Sequence, residues 1–145
     1  MKNYFRASVL ASLCFVLAAC ASTTAINGAQ QGITVQLKSS ESTRIPRDDK
    51  FSDTSFGNYE FRAQSNGAEP FYGVLPLRFS GARLALDILF FAPATFFNLR
   101  SAYPFYEFDV EKQVVRYKRK ASDEWRTYTP MTAEAARAEK MFPKN

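Results

Sequence analysis

Hydrophobic and polar residues alternate in several short stretches of the chain, and a period of two is typical of half-buried β-strands. The clearest stretches have the sequences ITVQLK, YEFRA and PFYEFDV, at residues 33–38, 59–63 and 104–110. In the last of these, Tyr106, Phe108 and Val110 fall on one face. The pattern predicts strands that turn one face to a core.

Turn-forming residues predict how the second stretch pairs. The sequence Ser-Asn-Gly at 65–67 favours a hairpin, because Asn and Gly tolerate a positive φ. The partner strand is then FYGVLPLRF, at 71–79, where Pro76 weakens the strand or places it at a sheet edge.

The C-terminal part predicts an antiparallel meander followed by a helix. The stretch 104–110 can pair with 113–120 across a short turn, and 124–130 can form a third strand. Thr129 is suited to cap a helix that begins at Pro130, and the alanine-rich sequence that follows favours that helix.

Two other segments depart from the alternating pattern. Residues 39–58 are rich in Ser and Asp and contain Pro46, so we expect mostly loop, with room for short strand pairing. Residues 84–99 are strongly apolar, with Asp87 as the single charge, and are too short to span a membrane as a straight helix. Pro93 interrupts them, so we expect two short helical pieces.

These elements together predict an α+β fold. We expect a small antiparallel β-sheet or sandwich, covered by the central apolar helical segment at 84–99 and by the short C-terminal helix.

The N-terminus has the layout of a secretory signal peptide. Lys2 and Arg6 precede an apolar run at 7–17, which ends in small residues. The segment is shorter than the roughly 20 apolar residues of a transmembrane helix. We expect residues 1–19 to be a leader that is removed.

The end of the leader, Leu17-Ala18-Ala19-Cys20, resembles the lipobox of bacterial lipoproteins. The resemblance implies that the Cys20 thiol is diacylated and that the chain is cut just before it. In that family an aspartate after the cysteine favours retention in the inner membrane, and Ala21 here implies the periplasmic face of the outer membrane.

The region after Cys20 divides in two by composition. The sequence ASTTAINGAQQG is small, polar and uncharged, so we expect residues 20–32 to be the lipidated cysteine and a flexible tether. Residues 33–145 then form a single periplasmic domain. Within it, Gly57 to Phe61 followed by Gly67 resembles β-sandwich modules of the PEGA type, although the first turn of that family, with its proline and glycine, is missing.

Composition excludes several kinds of chemistry. The chain has no histidine, which excludes Ser-His and Cys-His triads, the usual zinc sites and haem ligation by histidine. Its two cysteines are Cys14, in the leader, and Cys20, so the mature domain has no free thiol for a disulfide. We expect no enzyme activity, no cofactor and no metal.

Three clusters are candidate sites. Glu107, Asp109 and Glu111 alternate and could hold a cation or act as paired carboxylates, or they could oppose basic residues of the next strand. A cleft that gathered Asp109 with Arg116 and Tyr128 would favour an enzyme.

The basic run at 116–120 is the second cluster. It could contact phosphates of lipopolysaccharide or of anionic headgroups, or it could be a solvated hairpin end that discourages aggregation. The residues for the anionic contact are Arg116, Lys118, Arg119 and Lys120.

The third cluster is aromatic, and it could lie at a membrane interface, hold a partner or form the core. Its members are Phe90, Phe91, Phe96, Phe97, Tyr103 and Phe105.

The resulting functional prediction is a lipid-anchored envelope protein of structural or accessory role. Its expected contacts are the membrane, through the N-terminal lipid, and another envelope protein. Nucleic acid is not expected as a partner, because the protein is secreted and its basic residues are interleaved with acids. The alternative is a membrane-active or lipid-binding protein that uses residues 84–99.

Overall fold

The computed structural model describes residues 21–38, 40–52, 58–79 and 100–143. In this part of the chain, strands predominate and one short helix is present. The elements are β1 (Ala21–Gly28), β2 (Thr34–Leu37), β3 (Thr43–Arg44), β4 (Arg47–Ser52), β5 (Glu60–Gln64), β6 (Phe71–Val74), β7 (Leu77–Phe79), β8 (Arg100–Ala102), β9 (Phe105–Asp109), β10 (Val114–Lys118), β11 (Arg126–Tyr128) and α1 (Thr132–Glu139).

The described strands form three sheets. The largest has the order β11-β10-β9-β1-β4, the second has the order β3-β2-β5-β6, and β7 pairs with β8. The pair of β1 with β9 is parallel, and the other pairs in these sheets are antiparallel.

The expected tether at 21–32 is replaced over most of its length by β1. This strand pairs with β4 on one side and with β9 on the other, so its backbone is hydrogen-bonded on both edges. Thr24 and Ile26 are fully buried, and the Thr24 hydroxyl donates to the carbonyl of Tyr103 at 3.0 Å. A small, polar sequence therefore forms a strand because the backbone pairs and one face is covered.

The segment at 39–58 also contains more strand than we expected. β4 extends over six residues and pairs with β1 along its length. Phe51 turns into the core and its ring contacts that of Tyr59 edge-on, with centroids 4.8 Å apart.

The alternating stretches are confirmed as strands. β5 and β6 form the expected hairpin, in which Gly67 has a φ of +80° and Ala68 N–H donates to the Ser65 carbonyl. The interruption at Pro76 separates β6 from β7. The meander of β9, β10 and β11 is also confirmed.

The C-terminal helix is confirmed, but the expected cap is wrong. α1 begins at Thr132, and Met131 occupies the N-cap position without a side-chain hydrogen bond. Pro130 instead packs against the sheet, since a Cβ built on Gly73 would lie 2.6 Å from Pro130 Cγ. The helix therefore begins two residues after Pro130, at Thr132.

The core lies between the two larger sheets. The ring of Phe61 from β5 meets that of Phe108 from β9 edge-to-face, with centroids 5.0 Å apart, a favoured aromatic geometry. Tyr106 and Val115 are fully buried beside them. This is the packing of a β-sandwich, with inward side chains of both sheets filling one layer.

The predicted α+β class is therefore wrong, and the described residues form a mainly β fold. We had expected residues 84–99 to form the helices that cover the sheet, and these residues lie outside the described ones. In the described part, the second sheet covers the first, because inward apolar residues alternate along the strands of both. No helix in these residues is long and apolar enough to cross a membrane.

Candidate functional site

The basic residues predicted for an anionic contact lie at one end of the largest sheet. Phe105 at the start of β9 is paired with Lys118 at the end of β10, and on its other side with Ala25 of β1. Because β1 runs parallel to β9, its first residue, Ala21, points to this same end. The strand register thus brings the start of β1 and the 118–126 connection to one end.

A compact set of cationic and aromatic side chains occupies the β10–β11 side of this end. We call it the basic patch, and its members are Lys118, Arg119, Lys120, Trp125 and Arg126. Arg119, Lys120 and Arg126 are exposed, whereas Lys118 and Trp125 are half-buried.

Lys118 links the patch to the sheet. Its ammonium nitrogen lies 4.6 Å from the ring centroid of Trp125 and 5.6 Å from that of Phe105, within the range of a cation–π contact. It also donates to the Ala121 carbonyl at 2.7 Å. A lysine ammonium carries three N–H donors, so two remain for another acceptor.

The turn after β10 is held by its own hydrogen bonds. The Asp123 carboxylate accepts from Lys120 N–H at 3.1 Å, and Asp123 N–H donates to the Lys120 carbonyl at the same distance. This leaves the Arg119 and Lys120 side chains at the exterior of a fixed turn. A pocket of about 360 Å³ lies between this turn, Tyr103 and Trp125.

Arg116, the fourth predicted contact residue, is engaged elsewhere. It stands opposite Glu107 on β9, and its guanidinium forms an ion pair with that carboxylate. The alternative that we gave for the acid cluster, opposition to basic residues of the next strand, therefore holds for Glu107. Arg116 thus lies within the paired part of β10, opposite Glu107. The other three predicted cations lie at the end of β10 and in the turn that follows it.

Asp109 is buried and belongs to a different network. Gln30 donates to its carboxylate at 2.8 Å and Lys112 N–H at 3.0 Å. Burial by itself raises the pKa of Asp109, but these hydrogen bonds and the charges of Lys112 and Arg116 outweigh it, so the pKa is lowered. The carboxylate fastens the β9–β10 turn to the segment that follows β1.

The three alternating acids do not come together as a site. Glu107 faces Arg116, Asp109 faces Gln30, and Glu111 is exposed in the turn between β9 and β10. Within the described ranges, no three His, Cys, Asp or Glu side chains are grouped to hold a metal ion.

A larger cleft, of about 410 Å³, lies between α1 and the strands and is lined by Tyr128 and Glu134. The Tyr128 hydroxyl donates to one oxygen of Glu134, and Val74 N–H donates to the other at 2.9 Å. Burial, the hydrogen bond to Glu134 and its negative charge raise the pKa of Tyr128. Both carboxylate oxygens thus hold α1 in place, and neither Asp109 nor Arg116 lines this cleft.

The remaining predicted residues have different outcomes. Tyr103 is in the core and Phe105 lies under Lys118, while Phe90, Phe91, Phe96 and Phe97 are outside the described residues, as is Cys20. Trp125 and Arg126 were missed. The signal that could have found them is the pairing of β10 with β11, which sets Arg126 opposite Tyr117 and so returns Trp125 to the level of Lys118.

Comparison with protein-family models, with curated protein sequences and with solved structures found no match to this chain.

Proposed function

We propose that the protein is a lipid-anchored component of the bacterial cell envelope, acylated at Cys20, with a structural or accessory role. It faces the periplasm from the outer membrane, and another envelope protein is its expected partner. The observation that carries the proposal is the leader, in which two cations, an apolar run and Leu17-Ala18-Ala19-Cys20 follow one another at the spacing of a lipoprotein signal.

The position of β1 is compatible with this proposal and makes it more specific. β1 starts at Ala21, the residue directly after the proposed lipid attachment point, and it is an interior strand of the largest sheet. Two or three acyl chains at Cys20 anchor a protein durably, because each buried methylene contributes about 0.8 kcal/mol. The lipid would then hold the sheet itself at the membrane surface.

The test is metabolic labelling of cells with an alkyne fatty acid. Wild-type protein should carry the label and fractionate with the outer membrane, whereas Cys20→Ser should carry none, because serine offers no thiol to the diacylglyceryl donor. Cys14→Ser is the matched control, since it removes the other cysteine of the chain and should keep the label.

Label that persists on Cys20→Ser, or label that is lost from Cys14→Ser alone, would contradict acylation at Cys20. Labelled protein found in the inner-membrane fraction would contradict the location and leave the acylation intact.

A further inference from the structure

We propose that the basic patch rests on anionic phospholipid headgroups of the membrane that holds the protein. The inference builds on the proposed lipid anchor, because the lipid brings this end of the sheet to the bilayer. It adds a second contact, made by Lys118, Arg119, Lys120, Trp125 and Arg126, that fixes how the domain lies on the surface.

Strand geometry allows the anchor and the patch to reach one plane. Ala21 lies four residues beyond the level of Ala25 and Lys118, which is about 13 Å along the strand. β1 and β10 are separated by β9 and so lie about 10 Å apart across the sheet. A membrane that touches both therefore meets the strands at an oblique angle, with the 118–126 connection laid against it.

The charges favour an anionic surface. The patch has four cations, and the acids in its turn are Asp123, whose carboxylate binds Lys120 N–H, and Glu124. On the other side of β1, the exposed Lys50 and Asp48 offset each other. Each basic residue near an anionic membrane is attracted to it, so an excess of two positive charges orients a protein that lipid already holds.

Trp125 gives the patch an apolar component. Tryptophan is enriched at the level of lipid headgroups, where its ring meets apolar material and its N–H meets polar groups. Here the ring is half-buried and lies under the Lys118 ammonium, so the cation and the ring face the same region. At a membrane surface, the Lys118 ammonium can therefore bind a headgroup phosphate while the Trp125 ring contacts the apolar region below it.

The chain supplies its own reporter, because Trp125 is its single tryptophan. Wild-type protein purified from membranes is reconstituted into vesicles of phosphatidylcholine alone or of phosphatidylcholine with phosphatidylglycerol. Quenching of its fluorescence by acrylamide is then measured. We expect protection of Trp125 on the anionic vesicles, and loss of that protection in high salt, which screens the charges.

Matched double variants locate the contact. Arg119→Gln with Lys120→Gln should lose the protection, since both cations leave the patch. Arg44→Gln with Lys112→Gln removes the same charge from exposed residues near the other end of β1 and should keep it. Far-ultraviolet circular dichroism shows that each variant is folded.

The fatty-acid label on the same preparations separates this inference from the proposed function. Labelled protein whose Trp125 is quenched equally on both vesicles, or equally in both double variants, overturns the patch contact and leaves the anchor standing. Unlabelled protein that is still protected on anionic vesicles overturns the anchor and supports the patch. Equal protection of Trp125 by inorganic phosphate in the absence of vesicles overturns the headgroup assignment, because the patch would then bind free phosphate.

Discussion

Asp109 stands in the sequence as one of three alternating acids, yet in the fold it has a separate set of partners. Glu107 and Asp109 are two residues apart on β9, but the first lies against Arg116 while the second is buried beside Gln30. Gln30 also accepts from Val110 N–H at 3.3 Å. Alternation predicted the shared face, and the pairing of β9 with β10 accounts for the partner of Glu107. The partner of Asp109 comes instead from the segment after β1, which the sequence did not reveal as a strand.

Asp109→Asn should lower the free energy of unfolding by about 1 to 3 kcal/mol at neutral pH, since a charged acceptor of two hydrogen bonds is lost. The folded state lowers the pKa of Asp109 below its usual value of 3.8, so the carboxylate stabilises the fold above about pH 4. That contribution is lost as the pH falls through the lowered pKa. The difference between wild type and variant should therefore shrink towards pH 2 in urea unfolding.

Glu111→Gln is the control for this measurement, because Glu111 is exposed in the same turn and its replacement should change stability by less than about 0.5 kcal/mol. An Asp109→Asn deficit of equal size at pH 7 and at pH 2 would contradict the role given to the charge.

The basic patch shows how far residue types alone predict a site. The sequence indicated a cationic run, and Lys118, Arg119 and Lys120 do lie together at a sheet end. Arg116 was assigned with them because it belongs to the same basic run, and it shares a strand face with Lys118. The register, however, sets Glu107 opposite Arg116, and the two form an ion pair. Trp125 belongs to the patch because the turn between β10 and β11 has the length that sets Trp125 at the level of Lys118.

At the scale of elements, strands with clear alternation were predictable and those without it were not. β2, β5 and β9 place apolar residues on every second position, so the buried face can be read directly. β1 has Ile26 and little other apolar area, and β4 has charged residues with Phe51. These two strands pair with each other, and their stability depends on neighbours distant in sequence, which a local pattern does not contain.

One side chain of α1, that of Glu134, is hydrogen-bonded to two strands. Glu134 accepts from Val74 N–H on β6 and from the Tyr128 hydroxyl on β11. Glu134→Ala leaves that N–H and that hydroxyl without their acceptor and should cost about 1 to 3 kcal/mol of stability. Hydrogen exchange of the Val74 amide should rise with it.

Glu134→Gln is the matched variant for α1, because its amide oxygen can still accept from Val74 N–H and its amide nitrogen can donate to the Tyr128 oxygen. It should retain most of the stability and protect the Val74 amide. If alanine and glutamine variants have equal stabilities and equal exchange, the carboxylate does not hold the helix.

At the scale of the whole molecule, the fold class was predicted wrongly because helices were expected to form the layer that covers the sheet. The sequence suggested one sheet covered by helices, and a sandwich-like half was expected only from the first strands. The described residues instead pack the five-stranded sheet on the four-stranded one through Phe61 and Phe108. The sandwich needs β1 in the interior of its larger sheet, and this is the strand that looked like a tether.

Ile26→Ala tests whether β1 is part of this body. The side chain is fully buried, and removing its apolar atoms from a core should cost about 2 to 5 kcal/mol. A small domain has about 5 to 15 kcal/mol in all, so the thermal midpoint of the purified protein should fall clearly. Thr23→Ala, on the exposed face of the same strand, should change little. A flexible tether would give equal midpoints for both variants and wild type.

The direct passage from position 20 into β1 also has a mechanical meaning. In a chain acylated at Cys20, any tension between the lipid and the folded body enters along the axis of β1. Its six residue pairs with β4 and its four with β9 are then loaded side by side, in shear, and do not open one after another. The anchor point is therefore coupled to a strand that resists extraction, and a pull on the membrane reaches the whole sheet with little slack.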